Sequence, residues 1–278
     1  MVPFELDQPK TVEEALALLR EDGARALAGG TAVMLMMKAG VFRPRRLVSL
    51  RRLGLAHIEA APDGGLRIGA LATLRALERA GPVRAGYPVL ARTLRTLANV
   101  RVRNVATVGG AIAHADPHMD LPPILSALGA RAVLRSPRGE REAPVESLYA
   151  GYLENTLARD ELLTEVRVPP LGRRGAAYLK CTTRSADDWP ALGMAVVLDG
   201  ERATVVLSAA TDRPTRLAAA ERILQGRLDD DKALREAGEA AAEEVRIESD
   251  LHGSAAYKKQ LIRVYLARTV HEARSALH

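Results

Sequence analysis

Ala26-Leu27-Ala28-Gly29-Gly30-Thr31-Ala32-Val33 decides the reading of this chain, together with a counterpart, Arg103-Asn104-Val105-Ala106-Thr107-Val108-Gly109-Gly110-Ala111-Ile112. Each glycine pair sits beside a threonine and between apolar residues. Each therefore ends a strand or opens a helix. Glycine has no Cβ, so the bare backbone can come close to a ligand. Successive amides in such a turn form an anion-binding concavity. Two of these loops in one chain suit the two phosphates of a dinucleotide. Neither G-x-G-x-x-G nor G-x-x-x-x-G-K-[ST] occurs in the sequence, so a Rossmann or P-loop site has no support.

Working outward from the first loop, residues 24–28 read as a strand and 31–38 as a helix. That helix is apolar almost all round, which predicts that it is buried. Thr11-Val12-Glu13-Glu14 has the capping-box pattern, and its helix should run to about residue 21. Strands at 4–6 and 47–50 complete a small α/β unit over residues 1–55. A second α/β unit covers 56–170. It opens with a hairpin, 57–61 and 66–70, around Pro62-Asp63-Gly64-Gly65. Helices follow at 73–79, 89–98 and 121–128, then a hairpin at 132–136 and 140–143 and a strand at 162–168. Pro169-Pro170-Leu171-Gly172-Arg173-Arg174-Gly175 reads as a linker. The third unit, 176–278, has strands at 176–183, 191–198 and 203–209, then helices at 217–225, 230–245 and 255–276. The fold class is α+β: two N-terminal α/β subdomains plus a C-terminal three-stranded antiparallel sheet with helices.

The 278 residues are 47% hydrophobic but only 3% aromatic, so the core is mostly Ala, Leu and Val. The formal charge of +6 comes from arginine spread along the whole chain. Aromatics do not alternate with the basic residues, which excludes the usual single-strand nucleic-acid pattern. Cys181 is the only cysteine. The chain alone can form neither a disulfide nor a cysteine-held iron–sulfur cluster. This fits a reducing cytoplasm. The N-terminus lacks a signal-peptide pattern, and no apolar run is long enough to span a membrane.

Three further strings carry candidate chemistry. In His114-Ala115-Asp116-Pro117-His118-Met119-Asp120, four potential ligands alternate at spacing two. On a strand they would share one face as a carboxylate–imidazole metal set. Pro117 breaks such a ladder, and His and Asp in a loop commonly cap and turn, so no metal is assigned. Asp120 suits an N-cap for the helix beginning at residue 121, or an acceptor for a ligand there. In Tyr178-Leu179-Lys180, ring and ammonium share a strand face and could engage an anionic aromatic ligand. The alternative is an ordinary strand with Lys180 in solvent. Ser254, in Asp250-Leu251-His252-Gly253-Ser254-Ala255-Ala256-Tyr257, is a natural cap for the last helix.

Taken in order, these strings resemble the flavoprotein subunit of the molybdenum hydroxylases. That unit is the medium subunit of carbon monoxide dehydrogenase-type enzymes and the FAD domain of xanthine dehydrogenase. Ala28-Gly29-Gly30-Thr31 is similar to the family's first FAD-pyrophosphate loop, and residues 103–110 to its R-N-x-x-T-[IL]-G-G loop. Residues 115–120 resemble its A-[SD]-P-x-x-D continuation. Tyr178, Lys180, Asp187 and Asp188 resemble its [YF]-x-K…D-[DY] segment, and residues 250–257 its D-x-x-G-S-A-x-Y signature.

The resemblance implies FAD as cofactor, cradled by Ala28, Gly29, Gly30, Thr31, Ala32, Val33, Thr107, Gly109 and Gly110. Asp116, Asp120, Tyr178 and Lys180 would contact the rest of it. No catalytic acid or base is assigned. It implies an electron-transfer subunit partnered by a molybdopterin-binding large subunit and a two-cluster iron–sulfur small subunit, in a dimer of heterotrimers. The chain departs from the family at Ala32 and Ala111, where polar residues are usual, and at Trp189, where a smaller one is. A free-standing flavin oxidoreductase and a flavin-less scaffold are the alternatives.

Overall fold

A computed structural model describes residues 2–277. The first sheet is parallel, in the order β1 (Glu5–Asp7), β3 (Arg46–Ser49), β2 (Ala24–Leu27). Helix α1 (Val12–Leu19) joins β1 to β2, and α2 (Thr31–Lys38) joins β2 to β3. Thr11 caps α1 by accepting from the Glu14 amide at 3.1 Å. The return arm of the capping box lands one residue early: Glu14 accepts from the Lys10 amide at 2.8 Å. Helix α2 corrects the sequence reading. Only Met37 is buried in it, and Leu35 is 67% exposed. A three-stranded sheet covers one side of a helix. An all-round apolar sequence does not itself supply a second cover.

The central part begins with the hairpin β4 (Ile58–Ala60) and β5 (Leu66–Gly69). Short helices follow: α3 (Leu74–Arg79), α4 (Gly81–Gly86), α5 (Pro88–Thr96), α6 (Val100–Arg103), α7 (Val108–Ala113) and α8 (Leu121–Ala127). Then come β6 (Arg131–Ser136), β7 (Gly139–Pro144), the small pair β8 (Tyr149–Gly151) and β9 (Glu154–Asn155), and β10 (Leu162–Val168). The five-stranded sheet runs β4-β5-β10-β6-β7 and is antiparallel throughout. Every residue of α8 is buried.

The C-terminal part has four antiparallel strands, where the sequence predicted three. They are β11 (Gly175–Cys181), β12 (Leu192–Asp199), β13 (Arg202–Ser208) and β14 (Thr215–Arg216). β14 pairs two residues with Val206 and Leu207, too few for an alternation pattern to reveal. Helices α9 (Ala218–Leu224), α10 (Asp231–Glu244) and α11 (Ala255–Ser275) follow. Strand β12 reads as an unbroken apolar run because both its faces are covered. Ala195 and Val197 join the core around α8, while Met194, Val196 and Leu198 join the core under α10 and α11. The C-terminal sheet is thereby fixed against the central part through α8.

Candidate functional site

The first glycine loop is open. Gly30 occupies the N-cap of α2 with φ of +77° and no side chain to cap with. Among the described residues, no protein group accepts from the amides of Gly29, Gly30, Thr31, Ala32 or Val33. Met34 is the first with a partner, Gly30 O at 3.0 Å. Open amides at a helix N-terminus, with the positive end of the helix dipole, form a site for an anion. Gly29 brings this loop against the second one. A Cβ there would stand 2.1 Å from the Val105 carbonyl oxygen.

The second loop corrects an expectation. Gly109 and Gly110 lie in the first turn of α7, and their amides are already committed. Gly110 donates to Thr107 Oγ1 at 3.1 Å, Gly109 to Ala70 O at 2.8 Å, and Val108 to Ala72 O at 3.0 Å. The capping threonine and the neighbouring chain take up the donors that the sequence offered to a ligand. Gly109 instead permits close approach, since its Cβ would lie 2.6 Å from that of Ala70. Thr107 keeps its hydroxyl proton. Arg103, which opens the second string, is buried and bonds Glu78 and the Leu97 and Ala98 carbonyls. It holds Ala98, whose φ is +50°.

Asp120 stands at the N-cap of α8 but does not cap it. Its carboxylate is drawn toward β11 instead. Oδ1 accepts from the Tyr178 hydroxyl at 2.7 Å and Oδ2 from Lys180 Nζ at 2.7 Å. Lys180 also donates to Thr96 O at 3.0 Å. Lys180 is therefore not a solvated strand residue; its side chain is 8% exposed. Burial raises the Asp120 carboxyl above its ordinary range, with Lys180 and Tyr178 opposing. Burial, then the Asp120 charge, pushes the Tyr178 phenol well up.

The residues 114–120 do not form a strand face. Helix α7 ends at Ala113 and the chain turns. Asp116 Oδ1 accepts from both the amide and Nδ1 of His118, each at 2.9 Å. Among the described residues no three His, Cys, Asp or Glu side chains could hold a metal ion. His118 also stacks on Trp189, at 5.3 Å between centroids and 11° between planes. The sequence had singled out Trp189 only as a departure. Nothing local in either string predicts that the two rings meet.

An open helix-start cradle, a second loop keyed beneath it and a buried Asp–Lys–Tyr group define a dinucleotide-binding flavoprotein module. Two family profiles cover the chain: an FAD-binding domain in molybdopterin dehydrogenase over residues 2–171, and a CO dehydrogenase flavoprotein C-terminal domain over residues 177–273. The carbon monoxide dehydrogenase medium chain of Afipia carboxidovorans is 34% identical over 288 residues, covering 99% of each chain. The xanthine dehydrogenase FAD-binding subunit of Escherichia coli O157:H7 is 28% identical over 275 residues, 96% of this chain and 94% of that one. The solved carbon monoxide dehydrogenase of Hydrogenophaga pseudoflava superimposes with a TM-score of 0.94 at 32% identity, covering 100% of both chains. The chain belongs to the FAD-binding medium subunits of the molybdenum hydroxylases. It is an oxidoreductase subunit with FAD as cofactor. The five open amides fit the pyrophosphate of that cofactor.

Proposed function

We propose that the chain passes electrons within a larger complex. They arrive from the iron–sulfur clusters of a small partner subunit, are held at FAD and leave to an external acceptor. A molybdopterin-binding large subunit carries the substrate chemistry. The assembly is a dimer of heterotrimers in the cytoplasm. The relatives named above as medium chain and FAD-binding subunit support the subunit role. The three parts of the chain, 1–55, 56–170 and 176–278, enclose the cofactor together.

The observation that carries the reading is the row of uncommitted amides from Gly29 to Val33. These, with Ala28 before them, hold the pyrophosphate. The Thr31 and Thr107 hydroxyls donate to it, and Gly109 and Gly110 set the distance between the loops. Tyr178 and Lys180 flank the flavin end. Asp120 and Asp116 are already bonded within the protein, so each acts through a neighbour: Asp120 through Lys180 and Tyr178, Asp116 through His118. FAD supplies the redox chemistry, and the protein supplies binding, orientation and electrostatics.

The test is purification of the chain alone and in its complex, with visible absorbance and identification of any nucleotide released on denaturation. One FAD per chain is expected. An absence of flavin in both preparations, even after incubation with excess FAD, would overturn the reading. Reduction of that FAD only when the iron–sulfur partner is present would support the electron route.

A further inference from the structure

His118 Nδ1 donates to Asp116 at 2.9 Å, which fixes the ring and leaves Nε2 free. That Nε2 is buried without a hydrogen-bond partner, and the side chain is 10% exposed. Asp250 Oδ2 lies 3.8 Å from it, already held by the buried Lys258. His114 faces Asp116 at 4.0 Å, and the His252 ring lies 5.2 Å from that of His118. At the rim stands Tyr152, 55% exposed. Partial burial and the Asp116 and Asp250 charges raise its phenol.

The loop carrying this pair is gripped from three sides. Leu153 donates to Ala115 O at 3.1 Å, Ala209 to Pro117 O at 2.9 Å, and Asn155 Nδ2 to Ala113 O at 2.6 Å. Three of these residues are non-glycine and left-handed: Ala115 at φ +55°, Leu153 at +57° and Ala209 at +63°. Such strain persists only where the surroundings over-determine it, and it gathers at working sites. Helix α7 carries the chain about 9 Å from the loop contact at its start to this pair.

We propose that His118 is the proton-transfer residue of the redox site, with Asp116 its positioning residue. This rests on the FAD reading above. An imidazole with one nitrogen tied to a carboxylate and the other without a partner can take and give a proton. As two electrons arrive from a reductant, one proton accompanies them. The Nε2–H bond of the His118 imidazolium breaks and an N–H bond forms on the cofactor. The reductant is oxidised, and the neutral imidazole reloads from solvent past Tyr152.

The experiment uses the full chain loaded with FAD. Dithionite is the reductant, and a pH-indicator dye follows proton uptake in stopped flow. H118A is expected to keep one FAD per chain and to slow proton-linked reduction by roughly 100-fold. Added imidazole should restore the rate, and the solvent isotope effect should change. D116N should slow the step less and displace its pH profile. H118Q keeps the packing if H118A does not fold. Full FAD with an unchanged rate and pH profile would overturn the proposal. So would loss of FAD in the His118 variants alone, which would make the residue part of the binding site and leave the FAD reading standing. A wild-type chain that binds no FAD, alone or in its complex, would overturn both.

Discussion

Residues 28–33 and residues 107–120 look alike in sequence, each with a glycine pair beside a threonine, yet they are built for opposite purposes. The first segment leaves five amides open at the start of α2. In the second, Ala70, Ala72 and Thr107 take the amides, while Tyr178 and Lys180 take the Asp120 carboxylate. One loop keeps its amides open and the other has spent them on the fold. Whether a glycine loop binds an anion depends on whether the protein has already used its donors.

The comparison can be broken most forcefully at the second segment. Lys180→Met leaves the 4%-exposed Asp120 without its cation. Removing one partner of a buried pair costs about 3–5 kcal/mol. A large fall in the denaturation midpoint is expected, and an unchanged midpoint would mean that the pair is not structural. Gly109→Ala drives a Cβ to within 2.6 Å of that of Ala70. Overpacking of this kind costs about 1–3 kcal/mol. Here FAD should be lost only in step with folding. Retained stability with selective FAD loss would make the second loop a receptor after all.

Gly30→Ala sharpens the contrast from the other side. Forcing a side chain into the left-handed φ of +77° costs about 1–2 kcal/mol. The expected result is a modest fall in stability with a disproportionate rise in the Kd for FAD, read by flavin fluorescence titration. Thr107→Ala removes the α7 cap and should cost about 1 kcal/mol, visible in chemical denaturation.

The smallest effect is one of pH. Burial opposes ionisation of Asp116, but the His118 ring and amide and His114 outweigh it and hold the carboxyl below its ordinary range. A depressed carboxyl contributes stability that is complete at neutral pH and lost as the pH falls through the folded value. Asp116→Asn should therefore be less stable than the wild type at neutral pH. The two melting curves should converge in acid, below about pH 4. A constant gap at every pH would show that Asp116 acts through packing alone.

Much of this was legible in the chain itself. The hairpin around Pro62-Asp63-Gly64-Gly65, the strand at 162–168 and the three long C-terminal strands and three helices were readable because period, turn residues and caps agree there. Ser254 caps α11 as its position suggests, accepting from the Tyr257 amide at 3.2 Å. Helices α4 and α6 were not readable. They are six and four residues long, too short for a period to repeat.

The sequence by itself determined the order of the longer elements, the α+β class and the identity of the two loops, because these rest on local chemistry: capping, alternation and the conformational freedom of glycine. It also carried enough ordered motifs to place the chain in its family. Only the tertiary structure decided which donors are free. It moved Asp120 from a helix cap to the partner of Tyr178 and Lys180 on a strand some sixty positions away, left most of α2 uncovered, and laid Trp189 on His118. Hydrogen-bond capacity is a local property of a residue. Whether that capacity is spent depends on what the fold brings within about 3 Å.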